Sequence, residues 1–482
     1  MNTIFSSRDF PLWIPPALVK ELRQCMRTPA FMNMLTIVPC SLAIIFLLSL
    51  IHTPDGDTII GQSSLNNWFW GILVLCMTIL VPNWALGSMR VDIADKSGDL
   101  IMLTRLTPRR TVWGKWVAYM ALAALIICSL LPFAIIRYFG GQISLANDLF
   151  LLFCTYLSCS ILTAGAIWIS GMPIVLRALF SLGTGIFSIT LLSSFFVPME
   201  TARLIDALDV PATLTIMVTD SIILIAGFLL LSARWLSPPS INTATLLRCL
   251  PLLSIIPSCV LTMNSSWENL IPFQIVFISF FVTLIVILEL TTPTTFLPIH
   301  IINASKKRFS LIRKIFFMPG LPSAAAFTLL VFFLYSAAAS FLLPEDFEKM
   351  PKIMFFFLTL AAWYSTIVPA LLLYPFQKKL GIATPIIYVI LFYIFLGICG
   401  IFTMMKADFL TALIPNGSVI VLLKDAGTGS ESILIIWSSI LSSVFAALWL
   451  IYLTQPWFRV WKKGSAIAAA LHKKSEGHPT EP

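Results

Sequence analysis

Apolar segments of about 20 residues recur along this chain, and shorter polar segments separate them. Each is long enough to cross a hydrocarbon core about 30 Å thick as an α-helix. The segments are rich in Leu, Ile, Phe and Ala and lack alternation of apolar and polar residues, which favours helices over barrel strands. The pattern predicts about twelve spans, at residues 34–52, 69–89, 113–137, 148–170, 178–197, 213–233, 249–264, 271–290, 323–343, 353–376, 383–404 and 433–454.

The composition indicates that lipid is the main solvent of this chain. Of its 482 residues, 58% are hydrophobic and 11% are charged, whereas a soluble domain carries about 25% charged residues. The sequence therefore predicts an all-α polytopic membrane protein with about twelve transmembrane helices in a cell membrane.

The basic residues predict the orientation of these spans. If the N-terminus is cytoplasmic, most of the 31 Lys and Arg residues fall in inner segments, as the positive-inside rule requires. The outer segments then hold Arg137, Arg203, Lys349, Lys352, Lys406 and Lys424. Both termini are predicted to be cytoplasmic. The net charge of +9 is matched by anionic headgroups of the inner leaflet, so membrane lipids are expected partners and no nucleic acid is needed.

The segment 15–33, before the first span, has the pattern of an amphipathic helix. Its apolar face holds Leu18, Val19, Leu22, Cys25 and Met26. The polar face holds Lys20, Glu21, Arg23, Gln24 and Arg27. A helix with a basic polar face is expected to lie flat on the inner membrane surface. The alternative is a simple cytosolic extension of the first span.

The chain is predicted to consist of two six-helix membrane units, at residues 1–237 and 238–460, followed by a basic cytosolic tail at 461–482. Each unit would have a long second inner loop, at 90–115 in the first and near 291–322 in the second. The entry sequences are faintly alike, since Trp13-Ile14-Pro15-Pro16 resembles Trp235-Leu236-Ser237-Pro238-Pro239. An even number of spans in each unit would give two repeats of the same orientation.

Signals of catalytic chemistry are sparse. The chain has no G-x-x-x-x-G-K-[ST] motif, and its nine cysteines and four histidines show no metal-ligand spacing. We therefore expect no catalytic residue, no metal and no cofactor. Asp220 is the one acid well inside a predicted span. It either marks a transport pathway or subunit contact, or lies near the outer surface at the start of the sixth span. Few titratable groups near the midplane indicate an energy source outside this chain.

The inner loop of the first unit carries the most informative motif. It contains Asp95-Lys96, Gly98, Asp99, Leu103, Thr107-Pro108 and Gly114-Lys115. This order resembles the inner loop of type-2 ABC exporter permeases, as does the preceding helix with Lys20, Glu21, Leu22, Arg23 and Arg27. Ile414-Pro415-Asn416 before the last span is similar to the sixth-span region of that family. The chain departs from the family pattern at Asp95 and Asp99, where Glu and Thr are usual.

The resemblance implies a mechanism. A separate P-loop ATPase subunit would dock on the helix and loop from the cytosol and drive an unknown substrate outward, so this chain would not itself be an enzyme. The location would be a bacterial inner membrane. The chain would supply both membrane units or pair with a second permease subunit. Pro108 is expected to break the helix before the third span, and Lys115 to anchor at the headgroups. The loop of the second unit lacks the motif.

Two other functions fit a chain of this kind. A secondary transporter or a lipid or polysaccharide flippase would need no ATPase, but the loop motif and the absence of midplane charge argue against it. A membrane-embedded transferase would require clustered acids, histidines or arginines at one membrane face, and the sequence shows no such cluster.

Overall fold

In the computed structural model, the described residues are helical apart from short turns, and they fall in two compact units. These residues are 16–50, 62–88, 107–139, 145–196, 210–237, 242–261, 270–291, 312, 315–342, 352–376, 384, 387–388, 390–391, 394, 398, 440, 444, 447–448, 451, 455, 459, 461–467 and 470. The units are Met1–Ser237 and Pro238–Pro482.

The helical membrane class predicted from the sequence is confirmed at a coarse level. In the described part of the chain, five helices are long and apolar enough to cross a membrane, at Phe31–Leu48, Asn66–Ala85, Pro108–Ile136, Asp148–Ser170 and Thr215–Leu236. Each of the first ten predicted spans overlaps a helix in the described part of the chain. The count of twelve spans and the cytoplasmic termini stay predictions.

The helices of the first unit begin where the sequence supplies start signals. They are α1 (Pro16–Met26), α2 (Pro29–Leu50), α3 (Gln62–Leu75), α4 (Val81–Ala85), α5 (Pro108–Phe139), α6 (Leu145–Ser170), α7 (Ile174–Phe196) and α8 (Val210–Leu236). Proline opens α1, α2 and α5, where its missing N–H costs no helical hydrogen bond. The amphipathic helix predicted over 15–33 is thus shorter, because the chain turns at Thr28 before Pro29.

A π-helical turn, Cys76–Leu80, joins α3 to α4. The N–H of Val81 donates to the carbonyl of Cys76, five residues earlier. Pro82 follows directly and has no N–H for an α-helical hydrogen bond. The π turn therefore contains one residue more than an α-helical turn would. The Thr78 hydroxyl in this turn lies 2.5 Å from the Ser188 hydroxyl of α7, and both residues are buried.

The core of the first unit forms between α2, α3, the π turn, α5 and α6. Its fully buried members include Phe31, Leu42, Leu73, Met77 and Ile126. Helix α8 packs against α6 and α5, while α7 packs against α3 and the π turn. This arrangement places the start of α5 beside α1.

The second unit contains α9 (Ala244–Leu261), α10 (Leu270–Thr291), α11 (Leu321–Leu342), α12 (Lys352–Leu373) and a 3-10 turn at Tyr374–Phe376. Helix α11 packs against α12, α10 and α9. The seventh span, predicted at 249–264, begins earlier than expected. The Asn242 side-chain oxygen accepts the N–H of Ala244, and this cap starts α9 ahead of Arg248.

Candidate coupling site

Helix α1 packs on the first turns of α5 rather than standing apart from the bundle. Leu22 and Cys25, from its apolar face, contact the core of the first unit. At Gly114 the two helices are in ordinary van der Waals contact, since a Cβ atom built there would lie 4.0 Å from the Leu18 nitrogen. Part of the apolar face predicted for this helix is therefore buried against the first unit.

An ion pair links the two helices at this contact. The Lys115 Nζ atom of α5 lies 3.2 Å from the Glu21 Oε1 atom of α1. Their side chains are 6% and 19% exposed, so water reaches the carboxylate only in part. The ammonium group of Lys115 is paired with Glu21, and its expected place at the headgroups stays a prediction.

The contact continues along α5 to Tyr119. The Tyr119 side chain lies near the Cys25 thiol, and both residues pack against the core of the first unit. The Tyr119 hydroxyl also lies 3.5 Å from the carbonyl of Trp84 in α4. Burial, together with the negative charge of Glu21, raises the pKa of the Cys25 thiol above its ordinary value. Helices α1, α4 and α5 are thereby tied together at one end of the unit.

The predicted coupling residues divide into two groups. Asp95, Lys96, Gly98, Asp99 and Leu103 lie outside the described residues. Thr107, Pro108, Gly114 and Lys115 form the start of α5. The Thr107 carbonyl accepts the N–H groups of Arg110 and Thr111 at 2.9 and 3.3 Å. Pro108 is the first helical residue, so α5 begins one turn or more before the predicted span at 113–137.

Four of the five predicted interfacial residues lie on α1 and Arg27 directly follows its last residue, Met26, but the structure separates them by face. Glu21 and Leu22 turn toward α5 and the core. Lys20, Arg23 and Arg27 are exposed and, with Val19 and Gln24, line a shallow open groove. The acid that the sequence places on the polar face is thus turned toward Lys115.

Asp220 lies in α8, where the helix packs within the first unit, and its residue is 4% exposed. It falls inside the apolar stretch Thr215–Leu236. This burial fits either of the two positions predicted for it, in a transport pathway or subunit contact, or near the outer membrane surface at the start of the sixth span. A role in a transport pathway stays a prediction.

A buried charge pair in the second unit was not predicted from the sequence. The Arg248 Nη2 atom of α9 donates to the Glu289 Oε1 atom of α10 at 2.6 Å, and the two side chains are 0% and 1% exposed. Glu289 lies near the end of the predicted span at 271–290, and Arg248 directly precedes the predicted span at 249–264. These positions alone give no sign that the two side chains meet.

This pair holds the turn that leads into α11. The Arg248 Nη1 atom donates to the carbonyls of Phe316 and Met318 and to the Ser323 hydroxyl, at 2.7 to 2.8 Å. The Glu289 Oε2 atom accepts the N–H of Gly320 at 2.7 Å. Gly320 has a φ of 126°, a conformation that favours glycine.

Two further hydrogen bonds stabilise this turn. Asn242 and Thr245 donate from the start of α9 to the Phe317 carbonyl, at 2.9 and 3.4 Å. The carbonyls of three successive residues, 316 to 318, are therefore satisfied by side chains of α9. We call Arg248, Glu289 and the turn 316–320 the Arg248 clamp.

No protein-family model, no curated protein and no solved structure matches this chain. Within the described residues, no group of three or more His, Cys, Asp or Glu side chains could hold a metal ion. Support for a function comes from the geometry of α1 and α5 and from the resemblance of the Asp95–Lys115 loop to that of type-2 ABC exporter permeases.

Proposed function

We propose that this chain is the membrane-spanning permease of an ATP-driven exporter, and that a separate P-loop ATPase docks on its loop 90–115 and on α1. The observation that carries the proposal is the ion pair between Glu21 and Lys115. It joins the two sequence elements that the family resemblance singles out, although they are 94 residues apart.

The contact between α1 and α5 would transfer force from the ATPase to the membrane-spanning helices. An ATPase that pushes on a surface helix does useful work only if that helix is fixed to a membrane-spanning helix. In this chain α1 is fixed to α5 by the ion pair and by the packing of the two helices at Gly114. A displacement of α1 would then move α5, which contains the apolar stretch Pro108–Ile136.

The chain's own chemistry agrees with an external energy source. It has no P-loop, and Asp220 is the one acid well inside a predicted span. A secondary transporter needs groups that bind its driving ion near the midplane. An ATPase partner removes that need, because the energy then arrives through the cytosolic surface.

The test is reconstitution of the full chain with a P-loop ATPase encoded beside it in the genome. We expect the permease to co-purify with that ATPase and to raise its ATP hydrolysis in proteoliposomes. Gly98→Trp and Leu103→Asp should each abolish co-purification while the protein still inserts. If both variants keep the partner, or if no ATPase associates with the intact chain, the proposal fails.

The ion pair allows a sharper variant set. Lys115→Glu should uncouple hydrolysis from transport, and the exchange Glu21→Lys with Lys115→Glu should restore coupling by reversing the pair. The matched control is Lys462→Glu, which reverses the charge of an exposed side chain outside the site. Coupling that survives Lys115→Glu at the wild-type level would show that the ion pair does not carry force.

A further inference from the structure

Two hydroxyl groups meet inside the first unit, where the π turn packs against α7. The Thr78 Oγ1 atom lies 2.5 Å from the Ser188 Oγ atom, and both residues are buried. Each hydroxyl also lies close to a carbonyl of its own helix. The Thr78 oxygen is 2.7 Å from that of Val74, and the Ser188 oxygen is 2.6 Å from that of Thr184. The two helices are thus joined by side chains that each have a second acceptor nearby.

These contacts outnumber the protons available to form them. A Thr or Ser hydroxyl has one proton to donate, so two hydroxyls supply two hydrogen bonds to three contacts of 2.5 to 2.7 Å. The bond between the helices forms only when one hydroxyl gives up the carbonyl of its own helix. When the helices separate, each hydroxyl donates to that carbonyl instead. Separation therefore leaves no hydroxyl donor of this pair unsatisfied, and its cost in hydrogen bonds is low.

Both helices are also weakened beside this contact. On one side the π turn interrupts the α-helical hydrogen bonds, and Pro82 follows it without an N–H. On the other side Gly183 and Gly185 lie one turn before Ser188, and glycine weakens the interior of a helix. In the part of the chain that the structure describes, a Cβ atom built at either glycine would meet no atom within 4 Å. A bend in α7 at these glycines would therefore meet little steric resistance.

Helix α7 is held to the first unit from one direction. Its described contacts are with α3, the π turn and α6. Its other face is open, since Leu182, Ile186 and Ile189 are 65 to 67% exposed. Segments with few buried contacts are the ones that open locally in native proteins. The contact between Thr78 and Ser188 thus lies between a weakly held helix and the core.

We propose that Thr78 and Ser188 form a latch between the π turn and α7, and that its release lets the segment of α7 after Gly185 swing away from α3. The first unit would then have a lateral opening between α3 and α7. The inference does not depend on the proposed exporter function, because it uses only the contact and the two helices that carry it. Its test needs no ATPase.

The test is hydrogen–deuterium exchange of the purified full chain in a mild detergent, followed by mass spectrometry. Backbone amides exchange when local opening breaks their hydrogen bonds. We expect residues 76–81 and 184–189 to exchange faster than the buried turns of α5 and α6. Thr78→Val removes the hydroxyl and keeps the shape of the side chain. It should speed exchange in both segments about threefold, the factor that about 0.6 kcal/mol gives at about 1.36 kcal/mol per tenfold.

Two further variants separate the latch from other effects of losing a hydroxyl. Ser188→Ala removes the other member and should speed exchange in the same two segments. Thr155→Val is the matched control, because Thr155 is a buried threonine of α6 whose hydroxyl donates to the Leu151 carbonyl of its own helix at 2.8 Å. It should leave exchange in residues 76–81 and 184–189 unchanged. All variants are first checked for wild-type helical content.

A disulfide lock tests the latch in the opposite direction. In Thr78→Cys with Ser188→Cys, sulfur atoms replace two oxygens that lie 2.5 Å apart, close to the length of about 2.05 Å of a disulfide bond. Oxidation should slow exchange in both segments, and reduction should restore it. Ser188→Cys alone is the control for unspecific pairing with the native Cys76 of the π turn, and oxidation should not change its exchange.

Three results would overturn the inference. Exchange that rises no more in Thr78→Val than in Thr155→Val would show that the hydroxyl pair does not hold α7. A rise confined to residues 76–81 would show that the π turn opens without α7. Wild-type exchange in residues 184–189 as slow as that of α5 and α6, and unchanged by the disulfide, would show that α7 does not separate locally. Each result concerns the chain alone, so co-purification of an ATPase is judged separately.

Discussion

Arg248→Met removes the guanidinium of the Arg248 clamp and leaves the rest of the clamp in place. The Glu289 carboxylate, 1% exposed, would keep the Gly320 N–H as a hydrogen-bond donor but lose its ion pair. The carbonyls of Phe316 and Met318 and the Ser323 hydroxyl would lose their donor as well. Methionine is apolar and similar in length, so the change introduces little empty space.

The expected cost follows from the burial of the pair. Removing one partner of a buried ion pair destabilises a protein by about 3–5 kcal/mol, because the other charge is left uncompensated. Each buried carbonyl without a donor costs about 1–3 kcal/mol, but these losses overlap with the first and do not add in full. We therefore expect a loss of about 3–5 kcal/mol in the free energy of unfolding of the second unit.

The assay is thermal unfolding of the purified full chain in a mild detergent, followed by intrinsic fluorescence. At roughly 2–4 °C per kcal/mol, the midpoint of the second unit should fall by about 6–20 °C. The double variant Arg248→Met with Glu289→Met should be much less destabilised than Arg248→Met alone, because no buried charge then remains. Arg248→Lys should be intermediate, because an ammonium group cannot reproduce the forked contacts of the guanidinium.

Two outcomes would refute this reasoning. A midpoint within about 2 °C of the wild type for Arg248→Met would mean that Glu289 finds water or another donor. Equal midpoints for the single and double variants would mean that the charge of Glu289 carries no cost, and that the clamp acts only through the carbonyls of the turn.

Other contacts lead to further predictions. Lys115→Met should cost less than Arg248→Met, about 1–2 kcal/mol in the same unfolding assay, because Glu21 is 19% exposed and partly hydrated. Alkylation of Cys25 by a maleimide should be slow at neutral pH and should rise with pH beyond 9, because its thiol pKa is raised and the thiolate is the reactive form. Glu21→Gln should speed this alkylation at a given pH and Lys115→Met should slow it, since the two charges shift that pKa in opposite directions. Gly114→Leu should separate α1 from α5 and increase the labelling of Cys25, whereas Gly114→Ala should not, because a Cβ atom fits at 4.0 Å. Thr78→Val and Ser188→Ala should show a coupling energy of about 0.6 kcal/mol in a double-mutant cycle, the average for such pairs in membrane helices.

The sequence predicts the helices of this fold well. Apolar length alone locates ten of them, because a span must satisfy its backbone internally and helical geometry sets its length. Their ends were less certain, since local contacts decide them. Thr28 and Pro29 end the amphipathic helix early, while Asn242 starts α9 early.

The contacts of the candidate site were only partly predictable. Helical periodicity assigned Glu21 and Lys20 to one polar face, but it does not reveal which of them meets a second helix. The partner of Glu21 lies 94 residues away and that of Arg248 lies 41 residues away. Such pairs depend on how helices pack, and the packing of apolar faces leaves few marks in a single sequence.

The π turn at Cys76–Leu80 has a consequence for insertions and deletions in this chain. One residue more than α-helical geometry requires rotates everything after it by about 100° about the helix axis. Only with that rotation does the Trp84 ring contact the ring of Phe31, and only then does the Trp84 carbonyl accept a hydrogen bond from the Tyr119 hydroxyl. Deleting a single residue between 76 and 80 would leave an apolar helix that still spans the membrane, yet would swing Trp84 away from both partners. The length of this helix, and not only its hydrophobicity, is therefore part of the information that assembles the first unit.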